Sequence, residues 1–153
     1  DFLFVFIGSG VRVNDVKEFK EKYNLNNIIQ LPYQPRNEIK FSLSSADAHL
    51  VVLGEGLVGY THPNKIYGAL NVGKPIIYVG PEKSHVTDII SSVSGNIAVK
   101  HGDVQKLKKL IVKMKSEYQN NVNFISQEHK KISNSFTKEK IIPNLISKIK
   151  SII

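Results

Sequence analysis

Continuous apolar runs alternate with amphipathic stretches along this chain. The apolar runs are rich in β-branched residues and end at Gly or Pro, which is typical of strands buried in a parallel sheet. Apolar residues at helical spacing separate them. The predicted strands cover residues 2–7, 27–31, 48–53, 75–79 and 96–99, and the predicted helices cover 14–23, 35–43, 65–72, 84–93 and 103–118. This alternation predicts an α/β fold, with a parallel sheet and helices on both of its faces.

Two further basic amphipathic helices are predicted at the C-terminal end, over about 122–133 and 138–152. Pro143 lies inside the second one and fits only in a first turn or at a kink. The pattern therefore divides the chain into a sheet-containing domain, residues 1–120, and C-terminal helices, residues 121–153, which pack on that domain or extend from it.

The net charge of +8 is concentrated in one part of the chain. Residues 1–99 carry equal numbers of basic and acidic side chains, whereas residues 100–153 carry twelve Lys against four acidic residues. A solvated helix face explains this excess, and no aromatic RNA-binding motif accompanies it, so we expect no nucleic-acid partner. We expect instead that the basic helices contact an anionic membrane surface.

Composition excludes several classes of protein. The absence of Cys excludes disulfide scaffolds, thiolate metal sites and cysteine nucleophiles, and no apolar run reaches the length of a membrane span. The His residues lack metal-ligand spacing, so no metal site is expected, and neither a P-loop nor a nucleophile elbow occurs. Because the chain opens on an apparent strand without Met, we expect it to be a piece of a longer protein.

The turn after the first predicted strand, Gly8-Ser9-Gly10, lets the backbone approach a ligand closely. It lacks the third glycine of a dinucleotide fingerprint, because Val13 occupies that position. The turn is therefore equally consistent with a tight strand–helix connection. Arg12 follows it and is either a phosphate ligand or a surface residue.

A stronger signal lies in residues 54–65. Three glycines precede His62, Pro63, Asn64 and Lys65, which form the start of a predicted helix. Unpaired amides, the positive end of the helix dipole and a lysine all favour a bound phosphate there. A capped helix start with a solvated lysine would not explain the glycine-rich loop, so we favour a binding site.

Three segments together carry a resemblance to a known family: SLSSADAHLVVL (42–53), HPNKIYGALNVGKPIIYVG (62–80) and SGNIAVKHGDVQKL (94–107). With the opening FVFIGSGVR, they make residues 2–110 similar to the C-terminal, donor-binding domain of GT-B glycosyltransferases, in particular the family 4 type that builds bacterial surface polysaccharides. The resemblance implies a Rossmann-like domain that binds a nucleotide-diphosphate sugar. The first β-α unit of that domain and the acceptor-binding domain are not recognisable in this chain.

The resemblance also implies roles for particular residues. Lys65 and Arg12 would neutralise the departing diphosphate, the glycine turn would face it, and residues near Pro32 to Gln34 would flank the base. The residues expected to contact the donor are Gly8, Ser9, Gly10, Tyr33, Gln34, Glu55, Gly56, His62, Pro63, Asn64 and Ile66.

Two positions depart from the family pattern. Many members carry two glutamates eight residues apart, and Tyr60 and Gly68 occupy those positions here. The second glutamate usually holds the ribose, and Glu55 is our candidate to replace it.

We therefore expect the donor-binding part of a metal-independent hexosyltransferase without an additional cofactor. It would transfer sugar to a glycan or lipid-linked acceptor in the cytoplasm, at the inner face of the membrane, and this piece alone would be inactive. Two alternatives remain open from the sequence: a non-catalytic nucleotide- or phosphate-binding module, and a sugar-nucleotide epimerase of the same fold.

Overall fold

The computed structural model describes residues 2–152, without the side chains of residues 119, 122 and 124. The chain forms two compact units, Asp1–Ser42 and Leu43–Ile153. These units do not coincide with the predicted parts 1–120 and 121–153, and that division stays a prediction.

The first unit is a β-α-β element. Strand β1 (Phe4–Ile7) pairs in parallel with β2 (Ile28–Leu31), and helix α1 (Val13–Lys22) connects them. Helix α2 (Ile39–Ser45) follows and contains the boundary between the two units.

Burial of β1 on both faces, expected from its apolar sequence, is wrong for this unit. All four side chains of β1 are 40–46% exposed. Within the first unit β1 has a single neighbouring strand, β2, so its ladder is paired on one side only. An apolar sequence indicates that both faces of a strand should be buried, but other elements of the fold must bury them.

The second unit is built on a parallel sheet in the order β3-β4-β5. Its strands are β3 (His49–Val52), β4 (Ile76–Val79) and β5 (Ile97–Val99), and its helices are α3 (Lys65–Val72), α4 (His85–Ile90), α5 (Val104–Ser133) and α6 (Lys138–Lys150). The predicted α/β class is confirmed, with parallel strands flanked by helices. The predicted single sheet is present as two sheets, β1-β2 in the first unit and β3-β4-β5 in the second.

Helices cover both faces of the three-stranded sheet. On one face, side chains of β3 and β4 join those of α3 and α4 in a core that includes Ile66, Leu70 and Tyr78. On the other face, Ile97 and Val99 of β5 pack against Met114 of α5. Successive side chains of a strand point to opposite faces of the sheet, so alternate residues of β4 pack into the two cores.

Helix α5 joins these two layers. It contains non-helical backbone angles at Asn121, so it consists of two helical parts that meet near the predicted break. Beyond this kink it packs against α3, and Gly73 at the C-terminus of α3 makes the approach possible. A Cβ built on Gly73 would lie 2.3 Å from Ser126 Oγ and 3.0 Å from the Ser126 carbonyl oxygen.

Asn96 joins the start of β4 to the second part of α5. Its Oδ1 accepts the backbone amide of Ile76 at 2.8 Å, and its Nδ2 donates to the carbonyls of Ile90 and Val93. The same Oδ1 lies 2.9 Å from Nε2 of the fully buried His129. One amide side chain thus satisfies polar groups from three elements.

Several helix ends differ from the expected ones. Asn14 lies inside α1 rather than capping it, and the first turn is closed by Arg12, whose Nε donates to Asp15 at 2.6 Å. Helix α2 begins at Ile39 rather than at Pro35, because Glu38 first closes a turn onto the Pro35 carbonyl. Helix α4 is shorter than the segment expected over residues 84–93.

Helix α6 carries Pro143 in its interior. Proline lacks the amide that would bond to the carbonyl four residues earlier. Its remaining backbone hydrogen bonds, like those of any helix, are internal. Among the described helices none is long and apolar enough to cross a bilayer.

Candidate functional site

The carboxyl ends of β3, β4 and β5 lie at one edge of the sheet and lead into polar loops. β3 is followed by Gly54 and a 3-10 turn (Glu55–Leu57), β4 by Gly80, and β5 by Lys100. This edge is where ligands bind in open parallel sheets. Gly80 is required there, since a Cβ on it would lie 2.7 Å from the Leu53 carbonyl oxygen.

The start of α3 at Lys65 and its end at Val72 are confirmed. Asn64 occupies the N-cap position, but its side chain makes no capping hydrogen bond. The amides of Ile66 and Tyr67 donate to the carbonyls of Pro63 and Asn64, which leaves the amides of Asn64 and Lys65 without a backbone partner among the described residues. This N-terminus is therefore open to an anion, with the exposed Lys65 as its first residue.

The loop before α3 turns on its glycines. The Leu57 amide donates to the Gly54 carbonyl, and Gly59 adopts a positive φ of 84° that suits glycine. Gly56 has no neighbouring heavy atom within 4 Å of an added Cβ. Glu55 and Gly56 thus lie in an exposed turn, with open space next to Gly56.

His62 lies within a stack of aromatic rings. Its ring centroid is 4.1 Å from that of His85 and 5.1 Å from that of Tyr67, at interplanar angles of 30°. Tyr67 in turn contacts Phe136, at 5.0 Å, in the segment between α5 and α6. These ring contacts connect His62, which precedes α3, to the first residue of α4 and to the C-terminal part of the chain.

The stack contains unsatisfied nitrogen atoms. The Nε2 atoms of His62 and His85 are shielded from solvent and have no hydrogen-bond partner among the described residues. Such a group costs about 1–3 kcal/mol. Burial, followed by the neighbouring His85, holds the pKa of His62 below its ordinary value, and burial raises the pKa of Tyr67. Burial and the neighbouring His85 therefore disfavour the protonated form of the His62 ring.

Packing limits what the expected contact Ile66 and the departure from the family pattern at Gly68 can offer a ligand. The side chain of Ile66 is fully buried in the core and anchors α3, so it does not offer itself to a ligand. Gly68, at a usual glutamate position, faces Leu43, whose Cδ1 would lie 3.1 Å from an added Cβ. Close packing therefore explains a small residue there, while Tyr60 at the other position is 86% exposed.

Charged groups next to β4 and β5 are paired. Lys100 Nζ lies 2.8 Å from Glu82 Oε2 in an exposed ion pair. The hydrogen bond to Glu82 raises the pKa of Lys100, with a smaller contribution from Glu55. Glu55 thus lies within the electrostatic range of Lys100. Nε2 of His101 donates to the Leu53 carbonyl at 2.9 Å, which joins the loop after β5 to the end of β3.

The first unit holds the remaining candidates. Gly8 has a φ of 113°, and its amide donates to the Leu31 carbonyl. The ring of Tyr33 lies over it, 3.0 Å from the position of an added Cβ, and the Tyr33 hydroxyl donates to the Ser9 carbonyl at 3.0 Å. The unit therefore brings the glycine turn and Tyr33 together.

A shallow groove of about 250 Å³ lies next to this turn, lined by Gly8, Lys17 and Gln30 among others. Arg12 is exposed and paired with Asp15. Gln34 donates from Nε2 to the Pro32 carbonyl. Gly10 accepts the amide of Val13 and has no other atom close to an added Cβ.

Sequence reasoning missed two residues of these sites. Lys17 lies one turn beyond Val13 and so lines the same groove, a position that helical spacing alone could have indicated. The second missed residue is His85, which follows Ser84 at the start of α4. Its N-cap neighbour Ser84 does form a capping box with Thr87, but the contact of His85 with a ring 23 positions earlier leaves no local signal.

Two known proteins are similar to this chain. No family model matches the sequence. The chain is similar to the probable glycosyltransferase WbjE of Pseudomonas aeruginosa, with 32% identity over 87 residues, which are 57% of this chain and 22% of the relative. It also resembles the crystal structure of Anabaena Alr3699/HepE in complex with UDP-glucose, with a TM-score of 0.70, 17% identity, and coverage of 99% of this chain and 41% of that one.

These similarities confirm the expected resemblance to the C-terminal-like domain of GT-B glycosyltransferases, and with it the Rossmann-like fold. The chain spans about a fifth of the length of the relative it matches. In the described part of the chain, no three His, Asp or Glu side chains are arranged as a metal site.

Proposed function

We propose that this chain is the donor-binding part of a glycosyltransferase that uses a nucleotide-diphosphate sugar. The observation that carries the proposal is the N-terminus of α3, where the amides of Asn64 and Lys65 and the Lys65 side chain adjoin a glycine-rich turn at the carboxyl edge of the sheet. Similarity to a probable glycosyltransferase, and to a structure that holds UDP-glucose, supports it.

The proposed chemistry follows from charge. When the sugar leaves its donor, negative charge develops on the departing diphosphate, and preorganised donors near that charge lower the barrier. The amides that follow Pro63 and the ammonium of Lys65 would supply these donors. His62 and Asn64 would contact phosphate or sugar, and Glu55 with Gly56 would approach the ribose.

The first unit contributes a proposed set of its own. The turn Gly8-Ser9-Gly10 and Arg12 would bind phosphate, and Tyr33 and Gln34 would flank the base. The ion pair of Arg12 with Asp15 is exposed, so Arg12 can exchange it for phosphate at little cost. We expect Arg12→Ala to weaken UDP binding and Arg36→Ala, which removes an arginine outside this set, to leave it unchanged.

The finer parts of the function are proposals as well. We expect transfer to a glycan or lipid-linked acceptor, as a hexosyltransferase without a metal ion or cofactor, and no transfer by this piece alone. Turnover that survives EDTA in a chain including the acceptor-binding domain would support metal independence, whereas loss of turnover restored by Mg²⁺ would refute it.

A non-catalytic binding module remains a second candidate, because Gly68 packs against Leu43 where many relatives carry a glutamate. It predicts that the longer protein binds the nucleotide sugar and yet neither transfers nor hydrolyses it. Product analysis after incubation with UDP-glucose and acceptor lipid separates the two candidates.

A membrane partner is proposed for α6. Its apolar side chains lie on one side of the helix and are exposed, and Lys148 and Lys150 border them, as in helices that lie in an anionic lipid surface. The exposed apolar residues of this face are Ile141, Ile142, Leu145, Ile146, Ile149 and Ile152. A location at the inner face of the cytoplasmic membrane would follow.

Liposome co-sedimentation tests the membrane proposal. We expect binding to vesicles with anionic lipid, weaker binding by Lys148→Glu/Lys150→Glu, and little binding to neutral vesicles. Equal binding to both kinds of vesicle, or to neither, contradicts it. Binding of α6 to another domain of the same protein would appear as loss of vesicle binding in the longer chain.

Calorimetric titration with UDP, GDP and ADP tests the donor proposal. We expect one nucleotide to bind, with an affinity reduced about tenfold or more by Lys65→Ala, since a charge-assisted contact contributes about 1.5–3 kcal/mol. Lys108→Ala removes an exposed lysine on α5 and serves as the control. Equal loss in both variants would show general charge attraction rather than a site.

A further inference from the structure

The two stacked histidines, His62 and His85, form a titratable pair next to the proposed donor site. Their rings lie 4.1 Å apart, closer than the other ring contacts of the stack. Both Nε2 atoms are shielded and lack a partner in the described part of the chain. No hydrogen bond in the described part of the chain therefore holds either Nε2 atom.

His62 has no acidic side chain among its ring contacts, whereas Glu82, paired with Lys100, and Asp88, in the first turn of α4, each lie three residues from His85. The groups that face His62 are His85 from α4 and Tyr67 from α3, and Phe136 extends the stack without charge. Lys65 lies three residues further along the chain, at the positive end of the α3 dipole. A proton on the His62 ring therefore meets burial and the neighbouring His85, which matches the lowered pKa of His62.

A bound diphosphate would reverse this balance. It would bring at least two negative charges to the N-terminus of α3, directly after His62 and Pro63 in the chain. A nearby anion raises the pKa of a histidine. The ring of Tyr67 would also stabilise an imidazolium stacked on it.

We propose that His62 takes up a proton from solvent when the nucleotide-diphosphate sugar binds, and that His85 is the positioning residue that holds His62 in the stack. This inference rests on the proposed donor-binding function. Proton uptake on binding makes the affinity for the donor rise as the pH falls. The packing of α3 alone does not predict this pH dependence.

The test is calorimetric titration of the protein with UDP-glucose between pH 5.5 and 8, in two buffers of different ionisation enthalpy. UDP-glucose suits the test, since its phosphoryl groups are both esterified, whereas the terminal phosphate of UDP ionises near a pKa of about 6. We expect net proton uptake near pH 6 and affinity at least about threefold higher at pH 6 than at pH 7.5.

Variants separate the roles of the two rings. His62→Gln should abolish the uptake and flatten the pH dependence. His85→Ala should weaken binding at every pH, and His85→Phe should restore affinity through ring packing while changing the pH profile, because the like charge is gone. His101→Gln removes a titratable ring outside the pair and should behave as the wild type, because the glutamine amide can keep the hydrogen bond to the Leu53 carbonyl.

Binding without proton uptake in the wild type contradicts the inference alone, as does a His85→Phe profile identical to that of the wild type. Uptake that persists in His62→Gln also contradicts it. Absence of binding at every pH by UDP-glucose and by the corresponding GDP and ADP sugars contradicts the proposed function, and the inference with it.

Discussion

The junction of α3 with α5 depends on Gly73, and a single added methyl group tests it. Gly73 has a φ of 72°, which costs an alanine about 1–2 kcal/mol. The methyl group would also lie 2.3 Å from Ser126 Oγ and 3.0 Å from the Ser126 carbonyl oxygen. Forcing α5 away adds about 1–3 kcal/mol. Gly73→Ala should therefore lower the free energy of unfolding by about 2–5 kcal/mol.

Urea denaturation followed by circular dichroism measures this loss, and two glycines provide matched controls. Gly102 has a φ of 82° with no atom within 4 Å of an added Cβ, so Gly102→Ala should cost only the backbone strain, about 1–2 kcal/mol. Gly56 has neither a positive φ nor a close neighbour, so Gly56→Ala should change the free energy of unfolding by less than about 0.5 kcal/mol. If Gly73→Ala cost no more than Gly102→Ala, the close contact of α3 with α5 would be wrong.

Three further results follow from the second unit. Asn96→Ala removes four hydrogen-bonding contacts and should cost about 3 kcal/mol in urea denaturation, whereas Asn71→Ala on the exposed side of α3 should cost less than about 0.5. Ser84→Ala removes a capping box and should cost about 1 kcal/mol, with Ser84→Thr or Ser84→Asp recovering part of it. Burial holds the pKa of His129 below its ordinary value, so the folded state binds a proton less readily than the unfolded chain, and stability should fall as pH falls below about 6.5. An unfolding midpoint unchanged between pH 7.5 and pH 5.5 would contradict that assignment.

Local signals in the sequence were sufficient for the helix of the candidate site. Pro63 favours a helix start and Gly73 a left-handed end, and both act within a few residues of the backbone that they shape. The bounds Lys65–Val72 were therefore predictable, whereas the missing cap was not, because the N-cap residue Asn64 belongs to a type that favours capping. The strands of both sheets were predictable for the same reason, from short apolar runs ended by Gly or Pro.

Contacts between distant positions were not predictable in this way. The apolar sequence of β1 shows that it needs cover, but not which element supplies it. The stacking of His62 on His85 depends on where β4 and its loop place α4, which no spacing pattern reports. Likewise, the contact of Leu43 with Gly68 explains an absent glutamate only once α2 and α3 are placed in space.

The central claim is that the nucleotide sugar binds at the N-terminus of α3. Titration of ¹⁵N-labelled protein with UDP-glucose, followed by amide chemical shifts, tests it residue by residue. The account predicts saturable shifts concentrated at Asn64 and Lys65 and in the loop from Glu55, which Lys65→Ala reduces. Shifts spread along the basic residues of α5, or no shift at the start of α3 while the ligand binds elsewhere, would contradict it.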